Sequence, residues 1–237
     1  MTEQLPNSNV LELRQVSFSY EGSDSPVIDE LNLSIGEGEF VAIVGKSGCG
    51  KSTLLRLMAG FENPVTGVVN QYFDDSYSFI FQDLLLLPHL RVKDQVVLGD
   101  RSGADSSELL KKLELWKLQD RYPRQLSVGQ QQRLAVARAV FPKPKVLFAD
   151  EPFANQDVIN RVTLQQQVAS LCASNSSVVF VTHDIDEGLF LADRLIVLKE
   201  NCSGCTEVPI TLSRPREIEM LQAKKFSDLR NQVLSLL

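Results

Sequence analysis

The chain predicts an α/β fold, a mainly parallel sheet with both faces covered, and three observations carry the prediction. The short apolar runs Phe40-Val41-Ala42-Ile43-Val44, Val146-Leu147-Phe148-Ala149 and Val178-Val179-Phe180-Val181 have the length and β-branched content of strands buried on both sides. Helical spacing of Leu, Val and Ala separates them, over Lys51 to Ala59, Ser106 to Lys117 and Gln131 to Val140. The first run also leads directly into Gly45-Lys46-Ser47-Gly48-Cys49-Gly50-Lys51-Ser52-Thr53, a phosphate-binding loop leaving a strand and opening a helix.

Taken in order, Val10 to Tyr20 alternates at period two, and Val27 to Ile35 does so again after a Gly/Ser/Asp turn. These two segments predict an antiparallel subdomain ahead of the parallel core. A helical block lies between the phosphate loop and the second core strand; Trp116, with Leu110, Leu113 and Leu118 near it, is expected to pack inside that block. Beyond Lys199 the composition shifts: Asn201 to Thr206 is turn-like, and Pro215 to Leu237 is charged and predicted helical.

Composition narrows the function classes. With 237 residues the chain can bury a large core as one domain. Its net charge is −6, and no run of basic residues offers a footprint for a phosphate backbone, which argues against nucleic acid as a partner. Its apolar runs fall far short of the ~18 residues that a spanning helix requires. Met1 to Asn9 lacks the basic start and apolar centre of a signal peptide, so the expected place is the cytoplasm. Cys202 and Cys205 form the one Cys-x-x-Cys pair among four cysteines; with no His nearby in sequence, two incidental thiols at a turn and a redox pair both remain open.

The phosphate loop names the ligand class, a nucleoside triphosphate. Its glycines let backbone N–H groups close round phosphates, Lys51 brings a point charge to the β- and γ-phosphates, and the Ser52 hydroxyl can ligate Mg²⁺. The second core strand ends in Asp150-Glu151-Pro152. An acidic residue at that sheet edge is placed to hold Mg²⁺, and its neighbour Glu151 to polarise an attacking water.

Between these motifs stands Leu126-Ser127-Val128-Gly129-Gln130, and with it the chain resembles the ATP-binding cassette ATPases of membrane transporters, a P-loop NTPase family. The resemblance spans essentially the whole chain, through Tyr20, the loop 45–53, Gln82, the 126–130 signature, Asp150-Glu151, Asp157 and His183 in family order. It implies one cassette domain over 1–237, with a nucleotide-binding core at 1–83 and 132–205, an inserted helical subdomain at 84–131 and a tail at 206–237. It implies ATP and Mg²⁺ as cofactors, with Tyr20 stacking on adenine and Gly45, Lys46, Ser47, Gly48, Cys49, Gly50, Lys51, Ser52, Thr53 and Gln82 binding ATP. Ser52, Gln82 and Asp150 would surround Mg²⁺, Glu151 would be the general base and His183 the γ-phosphate contact. In this family two cassettes meet head to tail, which implies a homodimer in which Ser127, Gly129, Gln130 and Asp157 reach the opposed nucleotide.

The chain departs from the family pattern at Val128, where glycine is usual, and at Ala154-Asn155-Gln156 before Asp157. Bulk at Val128 is expected to slow hydrolysis without abolishing it. The segment Asp83 to Val92 resembles the permease-docking segment of importers, and Val208 to Arg216 resembles the tail of the nitrate, sulfonate, taurine and bicarbonate importer group. The implied partners are a transmembrane permease and, indirectly, an extracytoplasmic solute-binding protein, with the cassette on the inner face of the membrane. An exporter or lipoprotein-release cassette, or a non-transport cassette, is the alternative.

Overall fold

The computed structural model describes residues 9–23, 25–100, 102–154, 158–172, 176–199 and 204–237. Alternation in β1 (Asn9–Phe18) and β2 (Ile28–Gly36) produces an antiparallel pair, joined on the other side of β1 by β4 (Thr66–Gln71). The pairing slips between Leu13 and Val16, where Gln15 takes φ 49. That bulge changes the parity of the strand, so Leu11, Leu13, Val16 and Phe18 all stay buried on the face turned to the core.

The continuous apolar runs become neighbours in one sheet of order β5-β6-β7-β3-β8-β9 among the described residues. Here β3 is Phe40–Val44, β5 Tyr77–Ile80, β6 Val146–Asp150, β7 Ser177–Val181, β8 Arg194–Leu198 and β9 Cys205–Pro209. Pairing is parallel from β5 to β8, and β9 closes one edge antiparallel. Both faces are dry because residues of period two divide between two cores. Val41, Ile43, Phe148 and Val179 join the core made with α1 (Lys51–Met58) and the antiparallel sheet. Phe40, Ala42, Leu147 and Phe180 join the core made with α2 (Val92–Val96), α3 (Ser107–Lys112), α4 (Val128–Val140), α5 (Val158–Cys172), α6 (Ile185–Leu191) and α7 (Lys224–Leu234). Parallel pairing puts the carboxyl ends of β3, β5, β6 and β7 on one edge, where sheets of this type bind ligands.

Several expectations need correction. The helix expected over Ser106 to Lys117 stops at Lys112: Glu114 takes φ 59, which turns Leu113 and Leu115 into the core together, and a 3-10 turn comes next over Trp116–Leu118. Trp116 is not core packing; it is 38% exposed, with the Lys111 ammonium 5.5 Å from its ring centroid. The helix expected from Gln131 begins at Val128, because Ser127 caps it. The tail is helical only in part, as a 3-10 turn over Ile218–Gln222 and then α7. Asn155, Gln156, Asp157 and Cys202 lie outside the described residues, and Cys205 is half-buried on β9.

Gly67 shows how closely β4 backs onto the β1 bulge. It takes φ +81, and an added Cβ would meet Gln15 O at 2.2 Å and Arg14 O at 2.5 Å. Gly67→Ala is expected to cost on the order of 3 kcal/mol, measured by denaturant unfolding; a loss below about 0.5 kcal/mol would contradict this packing.

Candidate functional site

The loop after β3 is shaped by Gly48 and Gly50, whose φ values of 79 and 100 fall where other residues are strained. No side chain caps the N-terminus of α1, and its first turn holds no acidic residue, so its amide dipoles face an opening suited to an anion. Lys51 is buried and closes the loop on itself, its Nζ donating to Gly45 O and Lys46 O at 2.9 Å each. At Gly45 a Cβ would lie 2.7 Å from Cys49 Sγ and 3.2 Å from Leu198 O, so the loop has no room there for another residue. Tyr20, 42% exposed, shares a hydrogen bond of 3.0 Å with Thr53 Oγ1, which sets its ring beside the start of α1.

Ser52 Oγ donates to Asp150 Oδ1 at 3.1 Å, joining the loop to the end of β6. Burial raises the Asp150 carboxyl above its ordinary value, against the Ser52 hydrogen bond, and the Glu151 charge adds to the rise. The next residue, Glu151, takes φ 48 while its N–H donates to Val181 O at 3.0 Å. A non-glycine residue held in this region is strained backbone, a feature that gathers at functional sites. Its carboxylate Oε1 lies 3.1 Å from His183 Nδ1. Gln82, Glu151 and His183 line one cleft of about 260 Å³, together with Gln132, Arg161, Thr182 and Glu187.

Two of these were not legible as site residues. Gln132 is a polar residue on the apolar face of α4, 5% exposed, and its Nε2 donates to Pro152 O just past Glu151. Glu187 is 6% exposed on α6 and accepts from Thr182 Oγ1 at 2.6 Å, with Arg161 Nη1 at 3.7 Å. A carboxylate in the first turn of a helix reads in sequence as a surface residue; only the sheet edge above it makes it buried.

The signature residues stand apart from that cleft. Ser127 caps α4 reciprocally: its Oγ accepts from Gln130 N at 3.3 Å, and Gln130 Oε1 accepts from Ser127 N at 3.0 Å. Val128 is 57% exposed, and a Cβ at Gly129 would meet nothing within 4 Å. The N-terminus of α4 therefore presents an open face. Among the described residues no group of three or more His, Cys, Asp or Glu side chains gathers into a metal cluster, and no helix is long and apolar enough to cross a membrane.

A family model described as ABC transporter matches residues 28–154, a span that holds the phosphate loop, both strand-end carboxylates and the capped start of α4. The chain belongs to the ABC transporter family. It is an ATPase whose hydrolysis is coupled to transport. The aliphatic sulfonates import ATP-binding protein of Nocardia farcinica is 41% identical over 81% of this chain and 82% of that protein. The spermidine/putrescine import ATP-binding protein of Nitratidesulfovibrio vulgaris is 39% identical over 81% of this chain and 56% of that protein. A dimeric ATP-binding cassette in a post-hydrolysis state, bound to ADP and Pi, superposes with a TM-score of 0.74 at 29% identity, covering 86% of this chain and 100% of that one.

Burial raises Glu187 to about 7, ahead of the opposing Thr182 hydrogen bond; Asp184 adds to the rise, and Arg161 and His183 oppose it. The folded chain then holds this proton more tightly than an unfolded chain titrating near 4.5. Its contribution to stability is full below that value and is lost as pH rises through about 7. Glu187→Gln cannot ionise, so its stability relative to the parent should grow by on the order of 2 kcal/mol between about pH 5 and about pH 8. Denaturant midpoints at the two pH values measure this; a difference that does not change with pH contradicts it.

Proposed function

We propose that this chain is the ATP-hydrolysing subunit of an importer for small organic anions of the sulfonate type. The observation that carries the reading is the hydrogen bond between Glu151 and His183 at the sheet edge beside the phosphate loop. The solute class rests on likeness to relatives named for aliphatic sulfonates.

In this reading Tyr20 stacks on adenine, the N–H groups of residues 45–53 surround the phosphates, and Lys51 leaves its two carbonyls for the β- and γ-phosphates. The oxygen set fits a hard cation: Ser52 Oγ and Asp150 Oδ1 are 3.1 Å apart, and the buried Asp150 carboxyl is one whose charge a cation would stabilise. These two and Gln82 would hold Mg²⁺, which when bound neutralises charge on the phosphates. His183 Nδ1 engages one carboxylate oxygen of Glu151 and leaves the other to take a proton from the attacking water. The 70% exposure of the His183 side chain supports its role as the γ-phosphate contact in this reading.

Ser127, Gly129, Gln130 and Asp157 would reach the nucleotide of a second copy in a head-to-tail pair, a role supported by the open face at the start of α4. Residues 84–131 act as a helical subdomain between the core segments 1–83 and 132–205, with the tail at 206–237. The pair is clamped to a transmembrane permease on the inner face of the membrane, with a solute-binding protein on the far side. The docking surface begins just past Gln82, where Leu85 is 57% exposed and Val97 and Leu98, just past α2, are also exposed.

Glu151→Gln keeps the shape of the side chain and cannot accept a proton, so turnover should fall roughly 10²–10⁴-fold while ATP affinity stays and ATP-bound dimers accumulate. Phosphate release within a few-fold of the parent would refute the base. Leu85→Glu with His89→Ala should abolish permease recovery and solute uptake while the isolated chain keeps its ATP affinity. Uptake and complex recovery that both survive would refute docking on this segment.

A further inference from the structure

Arg138, near the end of α4, reaches out of its helix to the segment just past Gln82. Its Nη1 donates to Leu85 O and its Nη2 to Leu84 O, both at 2.7 Å. No carboxylate lies within ion-pair distance of it among the described residues, and burial lowers its basicity. A guanidinium desolvated this far and spent on two consecutive carbonyls grips backbone as a fork, a geometry Lys does not reproduce.

Gln95 on α2, fully buried, holds the later part of the segment: its Oε1 accepts from Leu87 N at 3.0 Å, and its Nε2 donates to Leu87 O at 3.1 Å and Leu90 O at 3.2 Å. What Arg138 adds is a connection to α4. Ser127 caps the same helix eleven residues earlier, about 16 Å away along a rigid rod. A second tie, Gln132 to Pro152 O, links α4 to the segment after Glu151. Leu85, one of the gripped residues, takes φ 47, so the segment is held in a strained conformation beside the residue that meets the nucleotide.

We infer that Arg138 is the positioning residue through which Gln82 on one copy sets the pose of Ser127 and Gly129 towards the nucleotide of the other copy. This rests on the proposed roles of Gln82 and of the signature residues. A shift of Gln82 on gaining or losing the γ-phosphate moves the carbonyls of Leu84 and Leu85, and Arg138 moves α4 with them. Each copy thus reports its own nucleotide state to the site it completes on its partner.

The test places Arg138→Met and Arg138→Lys in the full chain carrying Glu151→Gln, with Gln95→Met as the control that loosens the segment by removing hydrogen bonds that do not involve α4. Fluorescent ATP titration gives affinity, sedimentation gives the ATP concentration for half-dimerisation, and the same substitutions in the Glu151 parent give kcat and KM. Arg138→Met should leave ATP affinity within about twofold, raise the half-dimerisation concentration roughly tenfold and lower kcat by a similar factor. Arg138→Lys, which can hold one carbonyl, should fall between, and Gln95→Met should lower thermal stability while dimerising as the parent does. If the Met variant does not fold, the Lys variant alone decides. An Arg138 variant that dimerises and turns over like its parent, or acts only as Gln95→Met does, overturns the inference. Failure of the Glu151→Gln parent to dimerise with ATP would instead overturn the underlying reading.

Discussion

Parallel pairing of β3 with β7, and of β7 with β6, is the constraint on which the site depends. Residue 43 sits opposite 181, and 150 opposite 181, so three strands end level with one another. Each strand delivers its candidate residues immediately past its last strand position: the phosphate loop after Val44, Glu151 after Asp150, and Thr182-His183 after Val181. The Ser52 to Asp150 and Glu151 to His183 hydrogen bonds then need no long loops, and their partners are held by strand ends rather than by mobile chain. A slip of one residue in any of these pairs would turn a strand's core faces over and break the site at once.

That dependence explains why the core of the site is legible in the sequence. Apolar runs with no alternation suit strands covered on both faces, and a Gly-rich loop at the end of one fixes where its neighbours' carboxylates matter. Asp150, Glu151 and His183 are readable because each stands at or just past the end of such a run. The signature is legible through the resemblance to cassette ATPases, whereas the capping pair Ser127 and Gln130 moves the helix start back from the expected Gln131 to Val128.

The rest depends on contacts between distant segments, which local pattern does not carry. Gln95, Gln132 and Glu187 are polar residues at positions that periodicity leaves ambiguous, and each is buried where a partner from another segment meets its polar atoms. Glu114 and Gln15 use positive φ to alter the parity of an apolar face, so the helix expected to continue through Lys117 breaks and β1 bulges. Trp116 departs from its expected packing because Lys111 covers one face of its ring, allowing an aromatic to remain at the surface.

The placement of His183 also draws on the tail. It precedes α6, and that helix is held at both ends by arginines, through carboxylates at its start and through carbonyls at its close. At the N-terminal end, Arg161 pairs with Asp184 at 2.8 Å, and Arg230 of α7 pairs with Asp186. At the other end Arg216, buried in the tail, donates from Nη1 to Leu189 O at 2.9 Å and Ala192 O at 2.7 Å, and Arg214 donates to Leu191 O. Asp184 and Asp186 sit at the positive end of the helix and the Arg214 and Arg216 guanidinium groups at its negative end, as its dipole favours, while Arg161 and Arg230 anchor the two carboxylates. Much of this bracing comes from residues 214 to 230, beyond the segment 28–154 that the family model matches. The tail is therefore mechanically part of the setting of His183, because its arginines fix the helix that follows this residue at both ends.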